Sequence, residues 1–282
     1  MTVALPLALA FLMWVVGLQL QASHLWQVFR QPKALIVGLV VQVGLLPMMA
    51  FGIGHLLALP PVLFLGLLII AISPGGITSN YVTLLAGADV ALSTAMTLVT
   101  SLIAGFTIPL LLTSGLSLVE VSEISGIASL VRMVLAMTAV TAVPLLFGMA
   151  VRRFAPTAAG RLEGSVGFIS KLVFAAVVLT TFWQNRAVLV ADFASIGPAC
   201  VLLNVGAIAA GLATRWAARL SDHQSLAISI EAGLQNAAVA IFVATVMLLQ
   251  TELAAPALVY AVVMNVSSIG IIFFARKSHA FS

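Results

Sequence analysis

Nine apolar stretches, each close to the roughly 20 residues that cross a bilayer as a helix, leave this chain few folds to choose from. They run at about 3–21, 33–57, 61–86, 89–113, 126–152, 165–184, 190–215, 222–249 and 254–275, with boundaries good to a few residues. Two of the joins are tight, Leu59-Pro-Pro61 and Gly87-Ala-Asp89. A soluble domain carries about 25% charged residues; this chain of 282 residues carries 7%, and 62% of it is hydrophobic. The expectation is an all-α polytopic membrane protein set in the lipid bilayer, with no soluble domain. The first stretch lacks a basic leader and outruns a signal-peptide core, so it reads as a retained helix.

Lys and Arg in short loops set the orientation. With the N-terminus outside, the cytoplasmic face receives Arg30, Lys33, Arg152, Arg153, Arg161, Lys171, Arg215, Arg219, Arg276 and Lys277, and the other face only Arg132 and Arg186. The expected location is therefore the inner (plasma) membrane, with a cytoplasmic C-terminus. Glu120, Glu123, Asp192 and Glu252 fall in the external loops and say little about topology. Trp26, Trp183 and Trp216 fall near span ends, where aromatic belts lie, whereas Trp14 reads as a packing residue. The net charge of +4 comes from these helix ends and forms no patch, which argues against a nucleic-acid partner. The single cysteine, Cys200, excludes an internal disulfide and a cysteine metal cluster and reads as a small packing residue.

With every other charge near a membrane face, Glu231 is the one acidic residue deep in a span. Intramembrane ionisable groups mark ion or substrate pathways by default, the alternative being a hydrogen-bonded glutamate that holds helices together. Its stretch, Ile228-Ser-Ile-Glu-Ala-Gly-Leu-Gln-Asn236, matches an earlier one, Ile72-Ser-Pro-Gly-Gly-Ile-Thr-Ser-Asn80. One span before each, Gln42-Val-Gly44 faces Asn204-Val-Gly206. Spans 1 to 4 thus pair with 6 to 9 and leave span 5 alone. Five spans separate the partners, so the halves, 1–113 and 114–282, are expected to be inverted in the membrane. Pro74, Gly75 and Gly76 should break span 3, because proline lacks an N–H and the glycines free the backbone. Span 8 has only Gly233, so Glu231, Gln235 and Asn236 must hold its opened backbone. Such backbone is tolerated at depth only when buried in protein or lining a wet cavity, and its oxygens suit a hard cation. A kink or re-entrant loop without an ion is the alternative for Pro74 to Gly76.

These motifs, together with Gly87-Ala-Asp-Val-Ala-Leu-Ser93 and Thr97 and the segment from Lys33 through Gln42 to Pro47, resemble the bile acid:sodium symporter family over essentially the whole chain. The resemblance implies an inverted-repeat transporter of ten helices, or nine when the first is absent, with two crossing discontinuous helices. Spans 2–4 and 7–9 would form its core domain and spans 1, 5 and 6 its panel domain. It implies one sodium site at Ser79, Asn80, Ser93, Thr97 and Glu231, and a second at Gln42, Glu231, Ala232, Leu234 and Gln235. Ser93 and Thr97 also lie four apart on one helix face with neutral oxygens, though back-bonding to the preceding turn would explain either alone. Substrate would face Ile77, Asn236, Met264 and Asn265. The family often has Thr at the first of these and His at the third, so Ile77 and Met264 point to a less hydroxylated anion. Asn265-Val-Ser267 matches a glycosylation sequon but lies inside a span.

The reading is a secondary active symporter of a bile-acid-like or small carboxylate anion, coupled to two Na⁺ ions by alternating access. No phosphate-binding Gly-x4-Gly-Lys motif suggests ATP use, and no organic cofactor or transition metal is expected. A proton-coupled or uncoupled carrier of the same fold is the alternative. An intramembrane hydrolase would need His or paired carboxylates at depth; His24, His55, His223 and His279 all lie near span ends, and Glu231 has no acidic neighbour. An arsenite-type efflux carrier would want a pocket cysteine, and Cys200 beside Pro198 is poorly placed. A monomer is expected, with an oligomer left open.

Overall fold

The computed structural model describes residues 4–20, 32–116 and 127–279. His24, Trp26, Arg30, Glu120 and Glu123 lie outside the described residues. Among the described residues the chain is helical throughout, with a single isolated β-bridge. We number the helices α1 (Ala4–Gln19), α2 (Pro32–Leu56), α3 (Pro61–Ala71), α4 (Ile77–Leu85), α5 (Val90–Leu116), α6 (127–154), α7 (Pro156–Ala217), α8 (Asp222–Gly233), α9 (Ala237–Met247) and α10 (Ala255–His279).

Five helical stretches are long and apolar enough to cross a membrane, by length and composition: Pro32–Leu56, Val90–Leu112, Val131–Phe154, Gly164–Ala217 and Thr251–Ala275. The spans expected at 61–86 and 222–249 are each divided, into α3 with α4 and α8 with α9. The outer surface carries Phe106, Leu110, Phe147, Trp183, Val266 and Phe274, all well over half exposed. A surface so apolar belongs in lipid, and the protein is a multi-pass membrane protein.

The chain is helical across 184–190, where a loop was expected, so that spans six and seven share one helical stretch, α7, of 62 residues. Gln184, Asn185 and Arg186 are polar but compatible with a helix, and neither glycine nor proline accompanies them. The Asn185 amide bonds back to the Thr181 carbonyl at 2.9 Å, keeping its polar group within its own helix. Arg186 bonds the Trp183 carbonyl and lies 4.7 Å from the centroid of that ring. At about 1.5 Å per residue a straight α7 would part Gly164 from Arg215 by about 75 Å, yet Gly164 lies with Leu84 and Val90, and Arg215 pairs with Asp222 beside His223, which bonds the Gly87 carbonyl. Ala187, Val188 and Asp192 lie with Pro60 and Glu252, so α7 doubles back between its two halves.

The helices pack in two groups that α7 joins. In the first, α1 lies against the second half of α6, and Val15 and Leu18 of α1 meet Ala159 and Val166 of α7. Gly17 and Gly148 make this crossing close, because a Cβ on either would run into backbone of the opposite helix. Trp14 is part of this contact, packing on Phe11, in keeping with the reading of it as a packing residue. In the second group, the far half of α7 packs on α8 and α10, and α8 on α5 and α4. Cys200 is fully buried there, its thiol donating weakly to the Pro256 carbonyl at 3.4 Å.

Candidate cation site and substrate cavity

The two interrupted helices meet at their breaks. α3 ends at Ala71 and α4 starts at Ile77; α8 ends at Gly233 and α9 starts at Ala237. Between them Gly75 and Gln235 form the antiparallel bridge, and the Asn236 N–H donates to the Pro74 carbonyl at 2.9 Å. Each opened backbone therefore satisfies part of the other, which is how non-helical chain survives at this depth. Pro74, Gly75, Gly76 and Gly233 stand at the two breaks.

Glu231 is on the last turn of α8, fully buried. Its Oε2 accepts from the Ser93 hydroxyl at 2.7 Å and its Oε1 from the Thr97 hydroxyl at 2.6 Å. Asn80 Oδ1 lies 2.8 Å from Ser93 Oγ and 3.5 Å from Thr97 Oγ1. Four of the five residues assigned to the first sodium site thus form one cluster of oxygens. The fifth, Ser79, is buried beside it and donates to the Gly76 carbonyl at 2.7 Å. Among the described residues no Lys or Arg pairs with the carboxylate.

The second group of residues surrounds Gly75. A Cβ there would collide with Glu231 Oε1 and come within 3.5 Å of Gln42 Nε2. Gln42 lies in a π-helical turn of α2, Val40–Leu45, a distortion frequent at functional sites. Both its amide atoms are buried without a hydrogen-bond partner, and so is Gln235 Oε1. The Gln235 Nε2 donates to the Ala232 carbonyl at 2.8 Å. Leu234, at φ −110° and ψ 89°, has left the helix. An orphaned buried polar atom costs about 1–3 kcal/mol, so the Gln42 amide and Gln235 Oε1, unpartnered at the break around Gly75, describe a place that wants a ligand. The oxygens present, of carboxylate, hydroxyl and amide, are the set that suits a hard cation, whereas Gln42 Nε2 can only donate.

Beside the crossing lies a cavity of about 630 Å³ between the two helix groups. Leu12, Met13, Val16, Gln19 and Leu20 line one wall, with Gly164, Gly167, Phe168 and Ser170 of α7. The other wall carries Thr78, Asn80, Tyr81, Thr94, Gln235, Asn236 and Met264. Both Gly76 and Ala237, at the N-terminal ends of α4 and α9, open onto it, and no Lys, Arg, Asp or Glu is among the described residues that line it.

Of the residues expected to face substrate, Asn236 and Met264 line the cavity. Asn236 also caps α9, its Oδ1 accepting from the Val239 N–H at 3.2 Å. The Ile77 side chain lies outside the described residues, although its backbone starts α4. Asn265 is exposed, donates to the Ala261 carbonyl at 2.6 Å and is not part of the lining. One residue is about 100° around a helix, which separates it from Met264. Sequence reasoning missed Thr83, whose hydroxyl donates to the Ser79 carbonyl at 2.8 Å and lies 3.3 Å from Ser93 Oγ. Its spacing of four from Ser79 was the available signal. It also missed Gln19 and Ser170 on the far wall, for which no motif existed.

The chain is similar to several known proteins. It is 27% identical over 237 residues to the uncharacterized sodium-dependent transporter YocS of Bacillus subtilis, covering 84% of this chain and 72% of that one. It is 28% identical to the probable chloroplastic sodium/metabolite cotransporter BASS1 of rice, over 84% of this chain and 57% of the relative. With the bovine sodium-dependent organic anion transporter it shares 27% identity, over 83% of this chain and 62% of the relative. Several of these relatives are thus matched over less than two thirds of their length. The model of the Sodium Bile acid symporter family matches residues 6–192. By that match the chain belongs to the sodium bile acid symporter family.

Proposed function

We propose that this protein carries a small organic anion across the plasma membrane in symport with Na⁺, two ions sharing the Glu231 carboxylate. The observation that carries this reading is the fully buried Glu231, met by hydroxyls and flanked by the unpartnered amides of Gln42 and Gln235. A cation among Ser79, Asn80, Ser93, Thr97 and Glu231 would draw on oxygens already gathered there. A second, near Gln42, Ala232, Leu234 and Gln235, would relieve the orphaned amide oxygens of Gln42 and Gln235. Charge buried alone is costly at this depth, so cations that neutralise it would couple their own binding to the order of the crossing.

The anion would lie in the cavity with its charged end toward Gly76 and Ala237. Helix N-termini carry partial positive charge, and the bound Na⁺ ions would add to it. The apolar remainder, Leu12, Met13, Val16, Leu20, Phe168 and Met264, suits a hydrophobic body. A doubly charged phosphate ester would find no Lys or Arg among the described lining residues. Related proteins named for organic anions favour the same class. Gln19, Leu20, Leu84, Val90 and Gly164 lie toward the helix ends that the charge bias assigns to the cytoplasm. On that orientation the cavity is open inward, one end state of an alternating-access cycle in which α1, α6 and the start of α7 act as panel and the other helices as core.

The test is uptake into proteoliposomes of labelled small carboxylates and a bile acid, driven by an inward Na⁺ gradient and compared with K⁺. Sodium-dependent accumulation is expected. Uptake driven by a pH gradient in Na⁺-free buffer would overturn sodium coupling and leave a proton carrier of the same fold.

A further inference from the structure

Behind the second break, away from the cavity, is a group of polar side chains that neither the ion sites nor the substrate wall uses. Asn204 of α7 and Tyr260 of α10 are both fully buried. The Asn204 Nδ2 donates to the Gly233 carbonyl at 2.8 Å, and the Tyr260 hydroxyl donates to the same carbonyl at 3.0 Å. Asn204 Nδ2 also lies 3.4 Å from the Tyr260 oxygen.

Gly233 ends α8, and the last carbonyls of a helix have no partner within it. The neighbouring ones are met locally: Ile230 by the Leu234 N–H at 2.9 Å and Ala232 by the Gln235 side chain. The Gly233 carbonyl alone is gripped from outside, by two donors on two other helices. A peptide unit is planar, so a carbonyl held from two directions fixes the backbone on either side of it. That unit runs from the Gly233 Cα to the Leu234 Cα; Leu234 and, one peptide back, Ala232 are two of the residues proposed to offer carbonyl oxygens to the second ion, and Gln235 of the bridge follows.

We propose that Asn204 and Tyr260 are positioning residues that set the affinity of the second Na⁺ site by locking the Gly233–Leu234 peptide. They touch no ion and no substrate. The contrast with Gln42, the residue that occupies the matching place one span before the first break, supports the division of labour. Gln42 has both amide atoms unpartnered and lies against Gly75, whereas Asn204 leaves only its Oδ1 unpartnered and commits its amide nitrogen to the backbone. One amide waits for a ligand while the other holds the frame.

The inference rests on the sodium-coupled reading, and its test separates the two. The full-length protein in detergent is titrated with NaCl at constant ionic strength against KCl, reading the Na⁺ midpoint of thermal stabilisation. Tyr260→Phe removes one hydroxyl and should raise the midpoint about threefold, and Asn204→Leu with Tyr260→Phe roughly tenfold or more, the worth of one and two net hydrogen bonds. A purely structural role would lower the melting temperature in KCl and leave the Na⁺ midpoint in place; that result overturns the proposal. Should the double variant fail to fold, Tyr260→Phe decides alone, and a midpoint unchanged from wild type overturns the proposal. A wild-type protein with no Na⁺ response sinks the sodium reading itself, whatever the variants do.

Discussion

The two breaks that cross at the centre of this protein are built from opposite materials. The first, at Pro74-Gly75-Gly76, contributes almost no side chain; the second brings Glu231, Gln235 and Asn236. The first is broken by its covalent structure, through a missing N–H and two residues free of Cβ. The second is held open by hydrogen bonds, with Asn204 and Tyr260 behind it and the Pro74 carbonyl in front. The difference teaches why both are needed. A carboxylate cannot approach a neighbouring backbone closely unless that backbone presents no methyl group, and Gly75 is where Glu231 makes the approach. One break supplies room and the other supplies charge.

That comparison can be broken most severely at the charge. Glu231→Gln keeps size and hydrogen-bonding shape but removes the ion's counter-charge, and sodium-driven uptake should fall roughly a hundredfold or more, as when a buried charge loses its partner. Next comes the room. Gly75→Ala should weaken sodium roughly tenfold to a hundredfold, seen as a shifted Na⁺ midpoint, since overpacking costs about 1–3 kcal/mol. Gln42→Leu should cost about tenfold in Na⁺ half-saturation of transport, because it withdraws a ligand and leaves the carboxylate in place. Thr83→Val is milder: about two- to threefold, measured the same way, through loss of the hydroxyl next to Ser93. The smallest effect sharpens the comparison best. Gly76 sits at φ −123° and ψ 176°, and a Cβ there meets nothing nearer than 3.9 Å. Gly76→Ala should therefore change the Na⁺ midpoint by less than about twofold. If alanine at 76 is as damaging as alanine at 75, flexibility rather than room is what the first break supplies.

Much of this was written in the sequence because membrane depth makes polarity conspicuous. Glu231, Gln42 and the Ser79-Asn80 pair stood out against apolar surroundings, and the structure gathers them around one carboxylate. Pro74 announced its break by backbone chemistry alone. The helix α7 was illegible for the converse reason: Gln184, Asn185 and Arg186 look like a loop by polarity, but polarity is no bar to a helix. The face on which Asn265 falls depends on helix rotation, which tertiary packing sets and a local motif does not. Thr83, Gln19 and Ser170 are ordinary residues in ordinary helices, and only the approach of distant segments gives them meaning.

Seen mechanically, α7 is a folded strut held at three places. Its start is wedged against α1, its far half is bolted to α8 and α10, and its middle, at Ala187, Val188 and Asp192, sits with Pro60 and Glu252. The bend between its two legs is helical and contains neither glycine nor proline, so it is stiffer than an extended linker. Any rocking of one helix group against the other would be absorbed at that bend or along the second leg, where Pro198 has already removed one backbone hydrogen bond. Such a spring would favour one angle between the groups, and work would be needed to drive the molecule away from it.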